Sequence, residues 1–157
     1  MTEPIAQTLI TKLASQNLLI RCAESCTGGL IMAVLTDVSG SSKVVDRGFV
    51  TYSNDAKRDL LGVNEQTLEI YGAVSAETAF EMVQGAQNKD PIAAISVTGI
   101  AGPNGGSDEK PVGTICIGTT VPNKQTLVKS YFFSGNRQDI REQTVLAALT
   151  QLLSLLD

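Results

Sequence analysis

Apolar residues repeat with two different periods along this chain, and the alternation between them predicts an α/β fold. Pro4 suits a helix start, and Ile5, Leu9 and Leu13 follow it at helical spacing. Leu18 to Ala23 is a short apolar run of the kind that forms a buried strand. A polar turn, Glu24 to Gly29, leads into an apolar helix over Leu30 to Leu35, closed by Ser39 to Ser42. Val44 to Ser53 is rich in β-branched and aromatic residues and predicts a second strand. Asn54 and Asp55 can cap a helix that Gly62 stops, and a short helix over Asn64 to Tyr71 ends at Gly72. Ser75, with Thr78 completing only half a capping box, opens a longer helix to about Gln87.

Pro91 to Thr98 reads as a fully buried strand that runs into the glycine-rich segment 99–107. Val112 to Thr120 and Thr126 to Phe133 are strands joined by a short hairpin connection. Asn136 caps a last helix whose Ile140, Val145, Leu149, Leu152 and Leu156 share one stripe. Helical segments join strands one, two and three, which makes those pairs parallel with right-handed crossovers. Strands three, four and five have no room for helices between them and are antiparallel neighbours. The expected fold is a mixed five-stranded sheet, order 2-1-3-4-5, with strand four antiparallel and helices on both faces. No repeat or linker composition divides residues 1–157, so one domain is expected. The order reverses between strands one and three, where ligands favour the crevice beyond the carboxyl ends. Both glycine-bearing turns leave the sheet there.

Composition narrows the chemistry. The 157 residues include no histidine, which excludes a Ser-His-Asp triad, a Cys-His pair, His-liganded zinc and an imidazole base. A net charge of −4 argues against nucleic acid as a partner, since phosphate neutralisation needs clustered Lys and Arg. Three cysteines without a C-x-x-C pair announce neither a disulfide framework nor structural zinc, and the acidic residues are too scattered for a metal site. The N-terminus lacks a basic segment followed by an apolar run, and no stretch approaches the ~18 apolar residues of a membrane span. A cytoplasmic protein that engages no membrane, metal or cofactor is expected.

Four strings can carry chemistry. Ser25, Cys26, Thr27, Gly28 and Gly29 form a strand-to-helix turn whose free N–H groups can hold an oxyanion or a phosphate. Tyr52 and Lys57 follow the second strand. Without histidine, lysine is the natural base for a serine, provided that burial or a nearby cation depresses its pKa, and Tyr52 could pass the proton. The loop carrying Gly99, Ala101, Gly102, Gly105 and Gly106 can approach a ligand closely and form an anion nest, or else is a flexible surface loop. Arg137 opens the last helix as a phosphate clamp or an exposed arginine. Cys26, at a helix start, is an alternative nucleophile, with a bystander thiol preferred.

Over nearly its full length the chain resembles the C-terminal domain of the competence/damage-inducible protein CinA. That family also occurs as stand-alone, PncC-type nicotinamide-nucleotide amidases. The resemblance rests on AESCTGGL at 23–30, DVSGSS at 37–42, RGFVTYSNDAK at 47–57, GAVSAET at 72–78, TGIAGPNGGSDEKPVG at 98–113 and FSGNR at 133–137. It implies a three-layer α/β/α sandwich that hydrolyses the carboxamide of nicotinamide mononucleotide without a cofactor. Position by position it implies Ser25 as nucleophile, Lys57 as base and Tyr52 as proton relay, with N–H groups near Cys26, Thr27 and Gly28 holding the oxyanion. The 99–106 loop and Arg137 would hold the ribose phosphate, although aspartate is more usual where this chain has Asn136. Larger members carry an N-terminal nucleotide-processing domain, for which 157 residues leave no room. The apolar last helix and the strand edges suit a homo-oligomer, a dimer ahead of a trimer. The alternative from another class is a non-catalytic nucleotide-binding or competence-linked interaction module.

Overall fold

A computed structural model describes residues 2–157. Helix α1 (Thr2–Ser15) precedes strand β1 (Ile20–Glu24), helix α2 (Leu30–Thr36), a 3-10 turn (Ser41–Lys43) and strand β2 (Val45–Val50). Helices α3 (Asn54–Leu61), α4 (Glu65–Tyr71) and α5 (Ala76–Gln87) follow. Strands β3 (Ala93–Gly99), β4 (Thr114–Thr120) and β5 (Leu127–Phe132) then lead to α6 (Arg137–Leu155). The sheet order is β2-β1-β3-β4-β5. β1 pairs parallel with β2 and β3, while β3–β4 and β4–β5 are antiparallel, as the connections predict.

Strand alternation sorts the core into two layers. Ile20, Cys22, Ile95, Val97, Ile115 and Ile117 pack with α1, α2 and α6 through Leu9, Leu13, Ile31, Leu35, Ile140 and Leu149. Ala23 and Ala94 face the other way, onto Leu61 of α3 and Met82, Val83 and Ala86 of α5. The small alanines let α5 lie close to the central strands, and Ser96 Oγ donates to the Ala79 carbonyl at 2.6 Å. Arg21 is buried below the strands and bonds to Asp46 at 2.7 Å, Asp90 at 2.8 Å and the carbonyls of Ala86 and Gln87. The Arg21 hydrogen bond is the main reason the Asp46 carboxyl sits below its ordinary value.

Two local expectations shift, and a third is met. β1 starts at Ile20 because Leu18 N–H returns to the Leu13 carbonyl and Asn17 adopts φ 55, which places Leu18 and Leu19 in the turn. The cap of α3 is Ser53, whose hydroxyl accepts from Ala56 N–H at 3.0 Å, not Asn54 or Asp55. Asn136 caps α6 within a full capping box completed by Asp139. Among the described residues no helix is long and apolar enough to cross a membrane.

Candidate active site

β1 ends at Glu24, which is fully buried. Its carboxylate accepts from Thr27 Oγ1 at 2.6 Å, Gly29 N at 3.1 Å, Ile31 N at 2.9 Å and Met32 N at 3.0 Å. These are donors that a helix start leaves without intrahelical partners, so one anionic side chain satisfies the first turn of α2 and complements its dipole. Gly28 and Gly29 adopt φ of 59 and 105, which the tight turn requires and which side chains disfavour. Ser25 N–H still bonds to the Val97 carbonyl at 3.1 Å, so the serine stays registered on β3.

Lys57 lies in α3 with 1% of its surface exposed. Its Nζ is 3.0 Å from Ser25 Oγ, 2.9 Å from the Thr51 carbonyl and 3.3 Å from the Tyr52 carbonyl. No carboxylate pairs with this amine among the described residues. Burial pushes its pKa below the ordinary lysine value, with the nearby Cys26 acting weakly the other way. A neutral amine has two N–H donors and one lone pair. The two carbonyls take the donors, and the lone pair is left for the Ser25 hydroxyl proton.

Tyr52 enters differently. Its side chain is exposed and its hydroxyl accepts from Arg137 at 3.2 Å, whereas its backbone carbonyl is what meets Lys57. Serine and lysine therefore touch directly. Arg137 also donates to the Gly102 carbonyl at 2.6 Å. Ser25, Cys26, Tyr52, Lys57, Gly99, Ala101 and Arg137 line one cavity of about 230 Å³, at the carboxyl ends of β1 and β3. Asn54, Ala73, Val74 and Thr98 complete it. A wider groove of about 700 Å³ beside α2 and α6 contains neither Ser25 nor Lys57.

Several sequence candidates have other duties. Gly28 N–H donates to the Ser25 carbonyl at 3.0 Å, and Gly29 N–H to Glu24. The N–H groups of Cys26 and Thr27 bond to no other residue among the described residues, and the Cys26 N–H faces its own sulfur. Thr27 is fully buried, so its orphan donor is costly unless something occupies it. Gly102, Gly105 and Gly106 lie outside the cavity lining. A Cβ on Gly106 would come within 2.7 Å of Val112 N, so this glycine serves loop packing. The Cys26 thiol is pushed up to about 12, chiefly by burial, and is protonated at neutral pH.

Sequence reasoning missed three residues. Glu24 organises the turn, and its signal was an acid at the end of a buried strand just before a helix start. Thr98 is buried beside Ser25 and donates to the Ala73 carbonyl at 2.8 Å. Arg141, one helical turn beyond Arg137, donates from Nε to the Cys26 carbonyl at 3.1 Å and from Nη2 to the Thr27 carbonyl at 2.9 Å. No group of three or more Cys, Asp or Glu side chains converges as a metal site among the described residues.

Together these features define an α/β/α domain that presents a serine hydroxyl to a buried, uncompensated lysine beside unoccupied N–H donors. The chain belongs to the CinA C-terminal domain family, whose sequence model matches residues 2–156. It is 52% identical over 137 residues to a nicotinamide-nucleotide amidohydrolase PncC of Enterobacter agglomerans, an alignment covering 85% of this chain and 82% of that protein. It is 47% identical over 150 residues to a CinA-like protein of Leptospira biflexa, covering 95% of this chain but only 36% of that longer relative. The crystal structure of the competence/damage-inducible protein CihA from Agrobacterium tumefaciens superposes with a TM-score of 0.95 at 48% identity, covering 99% of this chain and 95% of that one.

Proposed function

We propose that this chain hydrolyses the carboxamide of nicotinamide mononucleotide to nicotinate mononucleotide and ammonia, with Ser25 as nucleophile and Lys57 as base. The observation that carries this reading is the 3.0 Å contact between Ser25 Oγ and a buried Lys57 amine with no carboxylate partner. The similarity to an amidohydrolase of comparable length supports the substrate class.

In this scheme Ser25 Oγ attacks the carboxamide carbon while neutral Lys57 takes the hydroxyl proton. The oxyanion meets the N–H groups of Cys26 and Thr27. Lys57 returns its proton to the leaving nitrogen, the C–N bond breaks, and ammonia departs. Water then attacks the acyl-enzyme ester. Lys57 takes a proton from that water and delivers it to Ser25 Oγ, which releases the carboxylate product. Among the described residues Arg137 bonds to a carbonyl and a hydroxyl and to no carboxylate, so its charge is free to meet the substrate phosphate in the cavity it lines. The reaction fits pyridine nucleotide salvage in the cytoplasm.

The test is ammonia release from the mononucleotide, the riboside and the dinucleotide. Turnover strongest with the mononucleotide supports the reading. Binding of the mononucleotide without ammonia would replace it with a non-catalytic nucleotide-binding module.

A further inference from the structure

The two unoccupied N–H groups beside Ser25 share a single upstream source of charge. Arg141 Nε donates to the Cys26 carbonyl at 3.1 Å, and that carbonyl belongs to the same peptide unit as the Thr27 N–H. Arg141 Nη2 donates to the Thr27 carbonyl at 2.9 Å, whose peptide unit ends in the Gly28 N–H. Gly28 N–H in turn donates to the Ser25 carbonyl at 3.0 Å, whose peptide unit ends in the Cys26 N–H. One guanidinium thus heads two hydrogen-bonded peptide relays, one peptide unit long to Thr27 and two long to Cys26. Both end on an N–H that bonds to no other residue among the described residues. Hydrogen-bonded peptide groups polarise one another, by about 10–30% per bond, and a charged donor at the head strengthens the effect.

Arg141 does not line the Ser25 cavity; it lines a neighbouring groove with Leu30, Gln138 and Glu142. It forms no ion pair with a carboxylate among the described residues. Its charge therefore acts on the turn, undiminished by a partner. Glu24 holds the opposite side of the same turn through the N–H groups of Gly29, Ile31 and Met32. Arg141 and Glu24 both hold the turn, and among the described residues its Cys26 and Thr27 N–H groups are the ones bonded to no other residue.

We propose that Arg141 is a positioning residue of the amidase: it orients and polarises the two peptide units whose Cys26 and Thr27 N–H groups receive the oxyanion. This rests on the Ser25/Lys57 reading. An oxyanion device acts on the transition state and not on ground-state binding, so its loss falls on kcat. Removing one oxyanion donor outright typically costs about 10²–10³ in rate, and weakening two without removing either should cost about 10–100-fold.

The experiment measures steady-state ammonia release from nicotinamide mononucleotide by wild type, Arg141→Met, Arg141→Lys and Ser25→Ala, each checked for a cooperative melt. The expected kcat order is wild type, then Arg141→Lys, which can reach one carbonyl, then Arg141→Met, with KM changed less than about threefold. If Arg141→Met does not fold, Arg141→Lys alone decides, by a drop in kcat at constant KM. A wild-type kcat in the folded Arg141 variants, or a rise in KM alone, overturns the proposal; the latter would make Arg141 a substrate ligand. Activity retained by Ser25→Ala would instead overturn the Ser25/Lys57 reading on which the proposal depends.

Discussion

Glu24→Gln tests how the turn is built, with a magnitude that follows from the four bonds the carboxylate accepts. Oε1 takes Thr27 Oγ1, Gly29 N and Ile31 N, and Oε2 takes Met32 N. Glutamine keeps one carbonyl oxygen for the first three and turns an amide NH2 toward the Met32 N–H. Two donors then face each other in a buried place, which leaves Met32 N–H unsatisfied at about 1–3 kcal/mol. The three remaining bonds lose their charge assistance and the α2 dipole loses its counter-charge, together about 2 kcal/mol. The sum is about 3–5 kcal/mol, against the ~5–15 kcal/mol that holds a domain of ordinary size together. With a urea slope of about 2 kcal/mol/M, the unfolding midpoint should fall by about 1.5–2.5 M. Equilibrium urea unfolding followed by far-UV circular dichroism reads this directly. A loss under about 1 kcal/mol, with the slope unchanged, would refute the claim that this carboxylate holds the turn.

Three further outcomes follow from other parts of the molecule. Lys57 in the folded state lies below the ordinary lysine value of 10.5, so the folded state binds fewer protons than the unfolded one between those two values. Wild-type stability should therefore climb with pH through that window and level off above it, while Lys57→Met shows no such climb and gains most over wild type at pH values below the folded one; parallel pH–stability curves would contradict this. The Cys26 thiol, pushed up to about 12 by burial, should resist iodoacetamide at neutral pH, and Cys26→Ala should keep most activity; rapid inactivation that substrate prevents would make the thiol the nucleophile. Asp46 is held below the ordinary carboxylate value mainly by the Arg21 hydrogen bond, so its contribution is present at neutral pH and lost as pH falls through the folded value. Arg21→Met should cost about 2–4 kcal/mol at neutral pH and progressively less as the pH falls below the ordinary carboxylate value of 3.8; a pH-independent loss would assign the cost to packing alone.

The topology was legible because connection length decides strand direction. Helical segments between β1, β2 and β3 force parallel crossovers, and the short link from β4 to β5 admits only a hairpin. The pairing of Ser25 with Lys57 was legible in outline, since one follows β1 and the other follows its parallel neighbour β2, which puts both at one end of the sheet. Direct contact without a tyrosine intermediary was not legible, because it depends on how far α3 carries Lys57 under the Thr51 and Tyr52 carbonyls. Which N–H groups of the 25–29 turn stay free was hidden as well. That depends on where Glu24 points: an acid between a buried strand and a helix start signals a cap, but not which N–H groups it takes. Arg141 was invisible for a related reason: a long side chain on α6 reaches a turn more than a hundred positions earlier, and local pattern carries no trace of such a contact. The cap of α3 shows a finer limit. Ser53, Asn54 and Asp55 can all cap, and the extended backbone at Ser53 decides among them.

The central claim is that Ser25 forms an ester with the substrate while Lys57 moves its proton. Intact-protein mass spectrometry after acid quench during turnover of nicotinamide mononucleotide tests it most directly. The account predicts a covalent adduct with the mass of the mononucleotide less ammonia, mapping to the peptide that carries Ser25. That adduct should be missing from Ser25→Ala, together with a loss of at least about 10³-fold in ammonia release. An adduct on Cys26, or ammonia release undiminished in Ser25→Ala, would contradict it.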